Sequence, residues 1–322
     1  MSMKLTMKEP YARSKILSPR IRGYIDLVRP FTLLAPLFVS MFIILASLVY
    51  NKKLETTPNW WFTIAQASFT IALVNAASNA LNQSTDVEAD MISKPYRPIP
   101  RGVVEADEAR SIAFILYLFA LLRAVTINAW FGFFVFMIMV FTVTYSLPPR
   151  TKRILFLNQV WIAIPRGLFG ILAAWSVFGD PLTNEPVIIG FLAMIFFMGA
   201  MATKDITDAV ADKQTGTKTL INTYGLRTTA FIALPFMIIP FGIMIPLLTQ
   251  LGIISSYLLP LSFFAIPSFF VFYLMLKHSE SKSLENVHAW VLMYLEYLGF
   301  AIGFSILIIL GQTGHLPTFY LF

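Results

Sequence analysis

Cysteine is absent from this chain of 322 residues, which excludes disulfides, thiolate metal centres and a cysteine nucleophile and leaves the redox compartment undetermined. Histidine is nearly absent too: His278, His288 and His315 are scattered, and none belongs to a His-x-x-x-His pair. A metal would therefore be held by oxygen, which points to the hard cation Mg2+. Charge is scarce as well, since Asp, Glu, Lys and Arg make up 13% of the chain, against roughly 25% in soluble domains. The first 22 residues carry Lys4, Lys8, Arg13, Lys15, Arg20 and Arg22 without an apolar core, so they read as a basic tail and not as a cleaved signal peptide.

What remains is apolar. Hydrophobic residues form 57% of the chain, and the mean hydropathy is +0.72. A membrane span needs roughly 20 such residues. The sequence offers nine, at about 28–50, 61–85, 109–127, 129–147, 156–178, 186–204, 225–249, 254–276 and 287–311. The expected fold is all-α, a polytopic membrane protein of nine transmembrane helices, with residues 1–22 as a tail and 23–322 as a single domain. With the N-terminus inside, 20 of the 24 Lys and Arg fall on that side; Lys52 and Lys53 lie opposite, and Arg123 and Arg166 lie within spans. The positive-inside rule thus places the N-terminus in the cytoplasm of a cell-membrane protein and the C-terminus outside. The net charge of +7 follows from this loop bias and from anionic lipid, and no nucleic-acid module accompanies it.

Two acidic clusters interrupt the apolar pattern. Asn82-x-x-x-Asp86-x-x-x-Asp90 closes span 2, and Asp205-x-x-Asp208-x-x-x-Asp212 closes span 6. Such spacings share one helix face, so each cluster makes a stripe of oxygens. Carboxylates at this density repel one another unless a cation sits between them. Asn82, Asp86, Asp90, Asp205, Asp208 and Asp212 are therefore the candidate ligands of a divalent metal. Asn75 and Asn79 carry the polar face of span 2 deeper into the bilayer, where it cannot point at lipid. By themselves the asparagines fit a hydrogen-bonded seam between helices equally well. Spans 2 and 6 run in the same direction, and each is followed by a basic loop. That suggests a duplicated four-helix unit plus a ninth helix, with the two matching ends facing each other across a central cavity.

The loops sharpen the ligand. Pro95, Pro98 and Pro100 stop the helix and stiffen a segment that presents Lys94 and Arg97. Lys213 to Thr219 supplies cations, hydroxyls and Gly216, which lets backbone approach a ligand. Basic loops beside an acidic metal site suit a diphosphate. An ion pathway would instead place acids near the midplane on broken helices, and the neighbouring cations would repel a transported metal.

Taken with Lys94-Pro-x-Arg97-Pro-Ile-Pro, and with Lys204-Asp205-Ile and Gly216-x-Lys218-Thr219-Leu220, the two stripes resemble the two signatures of the UbiA-type intramembrane prenyltransferases. The resemblance extends to the nine-helix count, to Arg29-Pro30 and to Tyr145-Ser146-x-Pro148-Pro149; Ala211 departs from the glycine that many members carry there. It implies Mg2+-dependent transfer of a polyprenyl group from a prenyl diphosphate, such as geranylgeranyl diphosphate, to a lipophilic acceptor in the bilayer. Two Mg2+ ions would be held by Asn82, Asp86 and Asp90 and by Asp208 and Asp212, with Asp205 a further ligand or an orienter of one. They would neutralise charge on the departing diphosphate. Asp86, Asp90, Asp208, Asp212 and Tyr145 are then the candidate catalytic residues. Lys94, Arg97, Tyr145, Ser146, Lys152, Arg153, Lys213 and Lys218 are the candidates to bind substrate, with Tyr145 beside an allylic cation that requires a dry, aromatic chamber.

The motifs divide over the acceptor. Tyr145-Ser-Leu-Pro-Pro149 and Pro165-Arg166-Gly167 resemble the enzymes that prenylate homogentisate or chlorophyllide and favour an aromatic or quinone-precursor acceptor. Arg97-Pro-Ile-Pro-Arg-Gly102, with Lys204-Asp-Ile and Lys218-Thr-Leu, is similar to archaeal digeranylgeranylglyceryl phosphate synthases, the alternative. Of the charges inside spans, Arg123 is expected to snorkel to the interface, and Arg166 and Glu296 to pair with polar groups.

Overall fold

The computed structural model describes residues 17–278 and 287–316. Among these, nine helices are long and apolar enough to cross a membrane: Pro30–Tyr50, Trp60–Thr85, Ala106–Ile127, Ala129–Ser146, Leu157–Trp175, Asn184–Asp205, Leu226–Gln250, Ser256–Lys277 and His288–Gln312, taken below as spans 1 to 9. Each end falls within three residues of the apolar run that announced it. Lipid leaves no other option, because every backbone polar group must be satisfied inside the segment that crosses. Most of the basic tail lies outside the described residues, as does Lys282. The helix Pro19–Val28 begins inside the stretch read as tail, with the Ser18 hydroxyl accepting from Ile21 N–H at its start.

Packing follows residue size. Span 3 turns Phe114, Ile115, Leu118 and Leu122 outward, and buries Ala109, Ala113, Ala120 and Ala124 completely. Span 2 packs against span 3 and likewise buries Ala67, Ala77 and Ala80 fully, small residues of the kind that let membrane helices approach closely. Arg123 donates to the Thr70 hydroxyl at 3.4 Å, and its guanidinium lies 5.7 Å over Phe119. It is therefore tied into the pair of spans as well as lying near their end.

The asparagines of span 2 have a structural task. The chain breaks between Val28 and Pro30, where Arg29 takes a left-handed conformation (φ 54°) and proline has no N–H to give. Two carbonyls lose their helical partners there. Gln83 Nε2 donates to Leu27 O at 2.7 Å, and Asn79 Nδ2 to Val28 O at 2.9 Å. Pro36 likewise leaves the Thr32 carbonyl without a donor, and Asn75 Nδ2 supplies one at 3.2 Å. The interhelical seam is thus real, and it fixes the start of span 1 against the end of span 2.

Two departures from regular helix place the site. Span 2 does not run through its acidic stripe: it ends at Thr85, Asp86 is non-helical (φ −107°, ψ 21°), and a separate helix Val87–Ser93 carries Asp90. Span 6 tightens into a 3-10 turn at Met201–Asp205, and Asp208 heads a further helix, Ala209–Gln214. The expected continuous stripes are in fact interrupted, at Asp86 in the first and between Asp205 and Ala209 in the second, while Asp90 and Asp212 lie within the short helices that follow. The carbonyl freed at Thr85 is taken by the Arg150 guanidinium from the span 4–5 loop, a cation that an unbroken helix would have kept out.

Candidate active site

Both broken ends open into one cavity of about 610 Å3, within the roughly 300–1,000 Å3 of small-molecule sites. Asn82, Asp86, Asp90, Asp205, Asp208 and Asp212 all line it, together with Lys94, Arg97, Tyr145, Lys152 and Arg153. Deeper in the spans the lining passes to Asn75, Tyr294, Tyr297 and Arg166, with Trp290 near the start of span 9. The sequence-derived stripes therefore meet as opposite walls of a single chamber.

Nearly every acid is already opposed by a cation. Asp86 accepts from Asn82 Nδ2 at 2.8 Å, pairs with Lys152, and lies 3.4 Å from Arg150 Nη2. Both oxygens of Asp90 accept from Arg97 Nη1, at 2.8 and 2.7 Å. Lys94 crosses the chamber to Asp208. Asp205 pairs with Lys204 and accepts from Gln159 Nε2 at 3.3 Å. Asp212 alone among these acids has no ion pair or side-chain hydrogen bond within the described residues. Its carboxyl is pushed up to about 7 by burial and by the neighbouring Asp205 charge. Burial also raises Asp90 above the usual carboxylate range despite Arg97 beside it. Burial acts the same way on Asp208, but Lys94, with Lys204 and Arg97 nearby, outweighs it and holds that carboxyl below its ordinary value. Lys152, buried, is pushed down even though Asp86 faces it.

The donor set suits Mg2+, being oxygen from aspartate and asparagine only. Among the described residues no group of three acids or histidines closes on one metal position.

Three candidates lie elsewhere. Ser146 is buried, with its Oγ lacking a hydrogen-bond partner, and does not line the cavity. Lys213 and Lys218 are exposed and outside the lining, which takes Thr215, Thr217 and Thr219 from the same loop. Lys213 follows Asp212 directly, so it sits about 100° around the helix from the cavity face. The loop then folds back, with Thr217 N–H on Asp212 O at 2.8 Å and Lys218 N–H on Arg153 O at 3.3 Å. Arg150 and Lys204 also line the cavity, although neither is among the substrate-binding candidates that the sequence offers. Their signal was adjacency: Arg150 precedes the named Lys152-Arg153, and Lys204 adjoins Asp205.

Residues 40–295 match the profile of the UbiA prenyltransferase family. The chain belongs to that family. The match takes in spans 2 to 8 and every acid of the cavity. Among relatives, the digeranylgeranylglyceryl phosphate synthase of Methanobrevibacter smithii is 26% identical over 289 residues, 87% of this chain and 97% of the relative. The synthase of the same name from Methanothermobacter thermautotrophicus is also 26% identical, over 87% of this chain and 95% of its own. Among solved structures, a UbiA homologue from Archaeoglobus fulgidus bound to GPP and Mg2+ aligns with a TM-score of 0.65 at 17% identity, covering 89% of this chain and 99% of that one. This UbiA-family chain is thus an all-helical integral membrane prenyltransferase.

Proposed function

We propose that the chain transfers a polyprenyl group from a prenyl diphosphate, such as geranylgeranyl diphosphate, to a membrane-resident acceptor, with Mg2+ held by Asn82, Asp86 and Asp90 on one wall and by Asp208 and Asp212 on the other. The observation that carries this is the meeting of the two acidic helix ends, with their cations, in one chamber that continues between the spans. When bound, Mg2+ supplies Lewis acidity to the leaving diphosphate. Arg153, which lines the cavity and has no ion pair among the described residues, and Lys94, Arg97 and Lys152 on its walls, are placed to hold diphosphate oxygens. Asp205 lies deepest among the acids, 1% exposed and clasped by Lys204 and Gln159, which supports an orienting role. As the allylic C–O bond breaks, its electron pair leaves with the diphosphate, and the ring of Tyr145 faces the cavity where positive charge develops. The acceptor nucleophile then bonds to the allylic carbon and gives up its proton. Positive-inside loops support placing this end of the bundle in the cytoplasm, with the N-terminus, and the C-terminus outside.

For the acceptor, the names of the relatives support a prenylated glyceryl phosphate, whose free hydroxyl oxygen would attack. Pro165-Arg166-Gly167 and the Tyr145-Ser-Leu-Pro-Pro149 segment support the aromatic or quinone-precursor reading. The test is incubation of the purified chain with Mg2+, geranylgeranyl diphosphate and each acceptor in turn, with diphosphate and prenylated product both measured. Product with the glyceryl phosphate lipid and none with a hydroxybenzoate is expected, and no diphosphate release with any acceptor would refute the proposal.

A further inference from the structure

Span 5 changes its pitch where it passes the cavity. Ile164–Phe169 is a π-helical turn containing Pro165, and Arg166 sits inside it. Single π turns concentrate at functional positions because they re-aim one side chain at the cost of a regular hydrogen bond. Here the turn is held from two sides. Tyr297 of span 9 donates its hydroxyl to the Arg166 carbonyl at 3.0 Å. Gly167 is pressed so closely on span 6 that a Cβ there would lie 2.3 Å from Met194 N. The backbone of Arg166 is therefore fixed, while its side chain stands exposed within the cavity.

That guanidinium has no hydrogen bond or ion pair among the described residues. It has three tyrosines within electrostatic reach: Tyr145, Tyr294 and Tyr297. Two of their hydroxyls are committed, Tyr297 to the Arg166 carbonyl and Tyr294 to span 1, where it accepts from Ala35 N–H at 2.7 Å and donates to Phe31 O at 3.2 Å. Tyr145 also stands within reach of Lys204, Asp205 and Asp86, so it is near both Arg166 and the acidic walls of the same cavity. Lys94, Arg97, Lys152 and Lys204 each answer a carboxylate. Arg166 answers none. A permanently charged group between membrane spans is costly unless an anion meets it, and no protein anion does so among the described residues.

We propose that Arg166 is the specificity-determining residue for the acceptor: its guanidinium binds an oxyanion carried by the acceptor, in the part of the cavity lined by Tyr145, Tyr294 and Tyr297. This rests on the prenyl-transfer reading above. The planar fork of donors matches a phosphate monoester or a carboxylate. It would hold the acceptor head in the chamber and neutralise a cation that would otherwise oppose allylic ionisation nearby.

The experiment uses the full chain in detergent with Mg2+ and geranylgeranyl diphosphate. The acceptor probes are geranylgeranylglyceryl phosphate against geranylgeranylglycerol, and hydroxybenzoate against its methyl ester, so the two sources of the anion are separated. The unmodified chain should use the charged member of one pair at least about 30-fold better in kcat/KM, the scale of losing a charge-assisted hydrogen-bonded pair. Arg166→Gln should erase that preference mainly through KM, and Arg166→Lys should restore part of it. In Arg166→Gln the neutral member should be used at least as well as by the unmodified chain, because the cation that opposes ionisation is gone, and geranylgeranyl diphosphate should still bind. Equal losses for charged and neutral acceptors, or loss of donor binding, would make Arg166 structural and overturn the proposal. Product from the unmodified chain without discrimination between charged and neutral acceptors would overturn it too. Absence of any diphosphate release would instead overturn the prenyl-transfer reading itself.

Discussion

Lys94, which ends the short helix carrying Asp90 of the first acidic cluster, is paired with Asp208 of the second, 114 residues away. This contact joins the two halves of the chamber and occupies a carboxylate assigned to metal. Lys94 and Mg2+ therefore compete for Asp208, while Lys94 and diphosphate attract each other. Lys94→Met should then bind Mg2+ alone several-fold more tightly, yet lose about 100-fold in kcat/KM for the prenyl diphosphate. A Mg2+ titration followed by thermal shift, set beside steady-state kinetics, separates the two effects. Weaker Mg2+ binding in the variant would contradict the competition.

Removing an acid should be harsher. In Asp86→Ala the cations Lys152 and Arg150 lose their shared partner, and in Asp208→Ala Lys94 loses its own. Each change also deletes a metal ligand. Both variants should fold and reach the membrane while turnover falls by on the order of a thousandfold or more. Near-normal diphosphate release in either would sink the assignment of metal to these walls.

Asp212 gives the site a pH dependence with a definite sign. Its carboxyl is pushed up to about 7 by burial and the Asp205 charge, whereas in the unfolded chain it would ionise near about 4. A raised folded value means that its contribution to stability is full below about 4 and is lost as pH rises towards about 7. Mg2+ competes with the proton, so its affinity should climb up to about tenfold per unit until pH reaches about 7 and then level. Stabilisation by Mg2+ should therefore be larger at about pH 8 than at about pH 6. Asp212→Asn should flatten that dependence, and a variant that kept the slope would assign the proton to another group.

The nine spans and the two acid clusters that line the candidate site were legible in the sequence because each is a local signal. An apolar run of membrane length and an i, i+4 pair of acids need no knowledge of the rest of the chain. What escaped is set by distant partners. The break at Asp86 depends on Arg150 reaching the Thr85 carbonyl, and no window around Asp86 contains Arg150. Lys94, Arg97 and Lys152 read as free cations for substrate, whereas their burial among acids makes them counter-ions first. Glu296 finds Ser268 of span 8, as an intramembrane acid should, but Arg166 does not follow the same rule, and its lack of a partner is visible only in three dimensions. Ser146 shows the converse: one step along a helix from Tyr145, it turns about 100° away from the chamber.

The π turn of span 5 can be tested through the residue next to Arg166. A Cβ on Gly167 would lie 2.3 Å from Met194 N and 2.5 Å from Met194 Cα. Both are backbone atoms of span 6 and cannot swing aside as a side chain would. Gly167→Ala must push spans 5 and 6 apart or unwind the turn, which costs on the order of 1–3 kcal/mol or more by the overpacking scale. Gly303→Ala in span 9 is the matched control, because its Cβ would meet only side chains at ordinary contact distance, Leu261 at 3.4 Å and the Phe264 ring at 3.5 Å. There the better helix propensity of alanine should leave stability unchanged or slightly raised. Thermal unfolding of both variants in detergent should show a clear fall for Gly167→Ala alone. Because the turn aims Arg166, the same variant should also lose use of the acceptor while retaining Mg2+ binding at the acidic walls. Equal melting temperatures for the two variants would mean that spans 5 and 6 are not packed backbone against backbone at this point.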